Sequence, residues 1–178
     1  MRRIIIGTSL LMALGIINLL ENKPVEANPD LVNCLENNRL QSASTVSQVN
    51  TSQHDYYWIE NYEGESVDSV IFKIDSQGNC DRLVNSEQIA EYPLSNFLEP
   101  QLAQGLIESR YATIIQELGG KEAFVNGLVA ELDADTPHVF FEDEVAVLKK
   151  LGIDLEQIDS SLFVVGEEGI NAHPELRK

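Results

Sequence analysis

A run of carboxylates between residues 133 and 144 has the chemistry to bind a divalent cation. Asp133, Asp135 and Glu144 match the first, third and twelfth positions of a calcium loop of the EF-hand type. The sixth position of such a loop requires glycine but is His138 here, and the fifth is Pro137, so an EF-hand is excluded. A looser, weak site for a divalent cation remains open, with these carboxylates as its ligands: Asp133, Asp135, Glu142, Asp143 and Glu144. Alternatively, the last three stabilise the positive start of a helix.

The sequence contains no recognisable catalytic motif. Its three histidines, His54, His138 and His173, form no His-x-x-x-His pair, so zinc has no local motif. His138 could serve in acid–base chemistry beside the acidic run, or it could be a partly buried structural residue. A Gly-x-Ser-x-Gly motif, a P-loop and a Gly-x-Gly-x-x-Gly motif are all absent. We therefore assign no catalytic residue and no cofactor from the sequence.

Four large aromatic residues lie within seven positions, from Tyr56 to Tyr62. On a strand, Tyr56, Trp58 and Tyr62 share one face, while Tyr57 and Ile59 share the other. Exposed aromatic side chains stack on sugars or anchor partner proteins, so these three residues are the candidate partner-binding site. The alternative is that one face packs into the core and another segment covers the other face.

The first 27 residues have the pattern of an export signal. A basic start at Arg2-Arg3 precedes an apolar run of 17 residues, Ile4 to Leu20. Val25 and Ala27 suit the −3 and −1 positions of a signal peptidase site, which predicts cleavage after Ala27. The predicted destination is the periplasm, a thylakoid lumen or the extracellular space. The alternative is an uncleaved membrane anchor, because the run reaches the lower length limit for a membrane span.

Export would determine whether the two cysteines are free thiols or a disulfide. Cys34 and Cys80 are the only thiols in the chain, and in an oxidising compartment they are expected to form a disulfide. The bond would join the start of the exported chain to the middle of the fold.

The excess of acidic over basic residues limits the kinds of partner that this protein could bind. The net charge is −17, with 12 basic and 29 acidic residues. After cleavage, the 151 residues from Asn28 would carry 9 basic and 27 acidic side chains, a net charge of −18. Nucleic acid and anionic membrane surfaces are excluded as partners, since both are recognised by clustered Lys and Arg. The partner remains an unidentified protein or small ligand.

Periodicity predicts an α+β fold in a single domain over residues 28–165. A short helix is expected within 28–40 and a flexible loop over 41–53. Aromatic and alternating apolar residues then predict a small antiparallel meander of three strands, at 54–62, 67–75 and 80–84.

The C-terminal half is predicted to supply about four helices that pack on the meander. A short turn of helix is expected to end at Glu91, and residues 166–178 are predicted to form a flexible tail. The longest predicted helix has its apolar stripe at 3- and 4-residue spacings, including Leu106 and Ile114. The four predicted helices span residues 99–118, 121–132, 142–151 and 154–165.

Residues 93–132 carry a resemblance to known proteins. Pro93-Leu94-Ser95, Glu108-Ser109-Arg110-Tyr111 and Leu118-Gly119-Gly120-Lys121-Glu122 resemble segments of small secreted cyanobacterial proteins of unknown function. The resemblance implies a periplasmic or lumenal lineage and carries over no catalytic residue.

Two functions are consistent with these patterns. The first is an exported, non-catalytic binding or accessory protein. The alternative is a small periplasmic hydrolase that uses carboxylate and histidine chemistry. A deep pocket where His138 meets carboxylates would favour the hydrolase, and a flat aromatic patch would favour the binding protein.

Overall fold

The structure is a computed structural model that describes residues 28–40, 45–63, 66–131 and 138–169. The predicted signal peptide lies outside these residues. Among the described residues, no helix is long and apolar enough to cross a membrane.

In chain order the elements are α1 (Pro29–Asn37), β1 (Thr45–Asn50), β2 (His54–Glu63), β3 (Ser66–Asp75), β4 (Cys80–Val84), α2 (Ser86–Glu91), a 3-10 turn (Leu94–Asn96), α3 (Pro100–Glu117), α4 (Lys121–Glu131), β5 (His138–Phe141), α5 (Glu142–Lys150), a 3-10 turn (Leu155–Gln157) and β6 (Phe163–Gly166).

The α+β class is confirmed, but the main sheet has four antiparallel strands in the order β1-β2-β3-β4. The three predicted strands lie where expected, and β1 was missed. The prediction of a loop over 41–53 is wrong at residues 45–50, while 41–44 lie outside the described part of the chain. β1 buries two small polar residues, Thr45 and Ser47, which gave no apolar alternation in the sequence.

Both faces of this sheet are covered. On one face, Trp58, Val67, Ile71 and Val84 pack in the main core beneath the long helix α3. On the other face, Tyr57, Ile59, Val70, Phe72 and Ile74 pack against Leu31, Cys34 and Leu35 of α1. The Cys34–Cys80 disulfide, with its Cα atoms 5.7 Å apart, fastens α1 to β4 and confirms the predicted pairing.

Helix α3 follows its predicted bounds closely, and Leu106 and Ile114 are fully buried. It lies close to β1 because residue 105 is glycine: a β-carbon there would lie 3.3 Å from Val49 Cγ2. The helix ends at the predicted Gly119-Gly120 pair, where both residues adopt positive φ and Gly120 N–H donates to Ile115 O at 2.8 Å.

The fourth C-terminal helix, predicted over 154–165, is not present. Asp154 does cap a turn, its side chain accepting from Glu156 N–H, but the turn stops after Gln157. The chain then forms β6, which pairs in parallel with β5. At the start of the predicted tail, Gly166 ends β6 and Gly169 N–H donates to Glu91 O at 2.8 Å. Residues 170–178 lie outside the described part of the chain.

Candidate functional site

Trp58 is a core residue and is not available to a partner. Its side chain is 3% exposed, which is the burial expected if this strand face packs into the core. Tyr56 on the same face is half-buried and packs against the main core. The side chain of Tyr62 lies outside the described part of the structure. Since α1 covers the opposite face, the aromatic strand offers no flat binding patch among the described residues.

The face with Trp58 holds a buried ion pair. Arg110 of α3 and Glu60 of β2 are 0% and 1% exposed, and two bonds join them: Nε to Oε2 at 3.0 Å and Nη2 to Oε1 at 2.9 Å. The Arg110 guanidinium also lies over the indole of Trp58, 4.8 Å from the ring centroid. This arrangement fixes both partners rigidly and leaves neither exposed as a surface charge.

A second buried carboxylate, Glu144, lies at the first turn of α5. Its Oε1 accepts from the hydroxyl of Tyr111 at 3.0 Å, and its Oε2 accepts from Phe141 N–H at 3.1 Å. Burial raises the pKa of Glu144, although the nearby charge of Arg110 and these hydrogen bonds act in the opposite direction. The Tyr111 pKa is also raised, first by burial and then by the charge of Glu144.

His138 begins β5, and its ring packs edge-on against Phe140 at 4.7 Å. Burial, together with the charge of Arg110, lowers its pKa to about 3. The imidazole is therefore neutral and weakly basic near neutral pH. A general base needs a pKa close to the working pH, so this environment does not suit His138 to that role.

Trp58, His138 and Glu144 nevertheless share a small, partly open space, which we call the inner cavity. Its volume is about 30 Å³, and its other walls include Ala90 and Tyr92. A cavity of this size accommodates about two water molecules and no metabolite. It therefore does not form the deep substrate pocket that a hydrolase would require.

A much larger acidic cleft opens on the outer side of Tyr92. Its volume is about 660 Å³, and its carboxylates are Glu142, Asp143, Glu167 and Glu168. The parallel register of β5 and β6 creates it, since Phe141 pairs with Gly166 and the two acidic pairs follow directly. The opposite wall is Tyr92, Pro93, Ser95 and Asn96, so none of the described residues that line the cleft is basic.

The side chains of the acidic cleft differ in how firmly they are held. Asp143 is half-buried and accepts from Ser95 N–H at 3.3 Å and Glu144 N–H at 3.0 Å. Glu142, Glu167 and Glu168 are exposed, and Tyr92 is 43% exposed. Tyr92 packs edge-on against Phe97, with the ring centroids 6.2 Å apart. The cleft therefore combines negative charge with an aromatic ring held at its rim.

The structure separates the carboxylates that the sequence grouped as cation ligands. Glu142 and Asp143 line the acidic cleft, whereas Glu144 is buried with protein donors on both oxygens. Asp133 and Asp135 lie outside the described residues. Over the part of the chain that the structure describes, no three His, Cys, Asp or Glu side chains are grouped so as to hold a metal ion.

Several residues of this region were not identified as site residues from the sequence. Arg110 had a usable signal, because it lies at four-residue spacing from both Leu106 and Ile114, on the buried stripe of α3. A charge on such a stripe indicates a buried partner. No sequence pattern identified Glu167, Glu168 or Tyr92. The two glutamates join Glu142 and Asp143 only through the β5–β6 pairing.

Comparison with protein-family models, curated proteins and solved structures finds no match at any of the three levels.

Proposed function

We propose that this chain is an exported, non-catalytic binding or accessory protein whose acidic cleft binds a positively charged segment of a partner protein. The observation that carries the proposal is the grouping of four carboxylates and an exposed tyrosine around one open cleft, with no basic residue among the described residues of its lining. The volume of about 660 Å³ lies within the range of ligand sites.

The chemistry of the cleft favours Lys or Arg side chains. Carboxylates form charge-assisted hydrogen bonds with guanidinium and ammonium groups, and the face of a tyrosine ring attracts the same cations. Asp143 is held in place by two backbone donors, so part of the cleft is ordered before a partner arrives. The net charge of −18 that remains after cleavage would also attract a basic partner over a distance.

The proposed compartment is the periplasm, a thylakoid lumen or the extracellular space. The Cys34–Cys80 disulfide is compatible with an oxidising compartment. The basic and apolar pattern of residues 1–20 supports the same location.

A hydrolase receives less support from the chemistry of the site. The low pKa of His138 leaves its imidazole neutral, and Glu144 uses both carboxylate oxygens to accept from protein donors. The inner cavity that these residues share has room for water alone.

Binding of hexalysine, measured by calorimetry at low ionic strength, tests the proposal. The test variant carries Glu142→Gln, Glu167→Gln and Glu168→Gln, which removes the exposed carboxylates of the cleft. A matched control carries Glu87→Gln, Glu122→Gln and Glu156→Gln, which removes three exposed carboxylates elsewhere. Both variants change the net charge equally, so they differ only in position.

We expect the cleft variant to bind more weakly by roughly 3- to 150-fold, if each lost pair contributes about 0.2–1 kcal/mol. The control should lose only the small part that comes from long-range attraction. Binding of hexaglutamate to either variant should be absent. Equal weakening in the cleft variant and the control would mean that hexalysine responds to net charge alone, and the proposed site would be wrong.

A further inference from the structure

The indole nitrogen of Trp58 is a buried donor without a partner. Nε1 has no hydrogen-bond acceptor among the described residues, although the side chain is only 3% exposed. Buried polar groups in folded proteins nearly always have a partner, either protein or ordered water. The neighbouring strand offers Ser47 directly opposite Trp58, but its hydroxyl is likewise unpaired in the described structure.

Trp58 also lines the inner cavity, which supplies the space for a partner. The volume of about 30 Å³ exceeds the roughly 10–15 Å³ that one water requires. A buried water also needs two or more polar neighbours. Trp58, His138, Asp143 and Glu144 all belong to the cavity wall, so donors and acceptors are both present.

The walls and the size of the cavity select a small neutral occupant. The indole N–H of Trp58 needs a hydrogen-bond acceptor, and a cation cannot accept a hydrogen bond. Glu144 and Asp143 disfavour an anion. The small volume excludes anything much larger than two water molecules.

We propose that the inner cavity is a binding site for one or two ordered waters, the first of which accepts the indole N–H of Trp58. The same water donates to a free lone pair of the Glu144 carboxylate or to the neutral imidazole of His138. Each carboxylate oxygen of Glu144 can accept a second hydrogen bond beside the one it already accepts. Tyr92 and Asp143 belong to the walls of both the inner cavity and the acidic cleft, so water exchanges with solvent past these two residues.

The chain contains a single tryptophan, which makes the test direct. Its indole N–H gives one resonance in a nitrogen-15 spectrum of the full protein. Water-selective NOE and ROE spectra should show a cross peak from that proton to a water held for longer than the protein takes to tumble. A wild-type indole proton without such a cross peak would overturn the proposal.

Substitutions in and outside the cavity wall test where the water lies. Ala90 lies on α2 in the cavity wall, so Ala90→Val is expected to reduce the space, whereas Ala112→Val adds the same atoms at an exposed position of α3. We expect the cross peak to vanish in Ala90→Val and to persist in Ala112→Val and Ser47→Ala. Loss in Ser47→Ala together with persistence in Ala90→Val would place the water between β1 and β2, and the assignment to the inner cavity would be wrong.

Discussion

Arg110 and Glu60 lie 50 residues apart in sequence and face each other in the interior, with the guanidinium donating two hydrogen bonds to the carboxylate at 2.9 and 3.0 Å. Ser69 donates a longer bond of 3.4 Å to the same carboxylate. The pair joins α3 to the middle of the sheet. Its main effect is therefore to fix how the helix sits on β2.

Removing one partner of this pair should be strongly destabilising. Arg110→Met leaves the buried carboxylate without its guanidinium and should lower the free energy of unfolding by about 3–5 kcal/mol. The double variant Arg110→Met, Glu60→Leu should cost less than the sum of the two single variants, because no charge remains buried. Urea denaturation measures all three values.

The control is the exposed pair of Lys150 and Glu108, in which the side chains are 56% and 34% exposed. Lys150→Met should change the free energy of unfolding by less than about 1 kcal/mol. Additive losses in the double variant would contradict a coupled ion pair.

Glu144 should make stability depend on pH. Its folded pKa is raised above the ordinary value of 4.5, mainly by burial. The folded state then binds this proton more tightly than the unfolded state, so stability falls as pH rises from 4.5 through the folded pKa. Relative to Glu144→Gln, the wild type should therefore gain stability as pH is lowered towards 4.5.

Denaturation of wild type and Glu144→Gln at a series of pH values between 4.5 and 7.5 measures this difference. The Gln variant keeps a side chain that can satisfy the start of α5. A stability difference that is independent of pH across the series would show that folding does not change the pKa of Glu144.

The fold was predictable where apolar residues recur with the period of a helix or a strand. The stripe of α3 and the alternation of β3 both lie where the pattern placed them. β1 was missed because Thr45 and Ser47 are polar residues buried against α3, and Gly105 allows that close approach. The polar residues of this segment did not indicate a buried strand.

The candidate site was harder to predict because it depends on contacts far apart in sequence. Residues 154–165 begin with a genuine capping residue, Asp154, which favoured a helix. The β-branched pair Val164-Val165 instead pairs with Val139 and Phe140, and this pairing creates the acidic cleft. The aromatic strand was correctly placed, but no local pattern could show that α1 would cover one face and α3 the other.

The disulfide should contribute substantially to stability. Its loop of 46 residues predicts roughly 2–4 kcal/mol, most of it from restricting the unfolded chain. Urea denaturation with and without a dithiol reductant measures this difference. The variant Cys34→Ala, Cys80→Ala should be insensitive to reductant. Thiol titration of the unfolded, unreduced wild type should find no free thiol, and two free thiols would contradict the bond.

The exported protein should begin at Asn28. Val25 and Ala27 present small residues to a signal peptidase, and Asn28 then caps α1 by accepting from Asp30 N–H at 2.9 Å. N-terminal sequencing of the protein from the extracytoplasmic fraction decides this. An intact Met1 in the membrane fraction would favour the uncleaved anchor.

The acidic cleft, rather than the acidity of the whole surface, should bind a basic segment. An amide chemical-shift map of the nitrogen-15-labelled protein, titrated with hexalysine, tests it most directly. The largest shifts should lie at residue 92 and at residues 94–96, 142–143 and 166–168, since Pro93 has no amide proton. These shifts should shrink as added salt shortens the Debye length below about 8 Å. Shifts spread over distant acidic positions such as Glu122 and Glu156, with no maximum at the cleft, would contradict it.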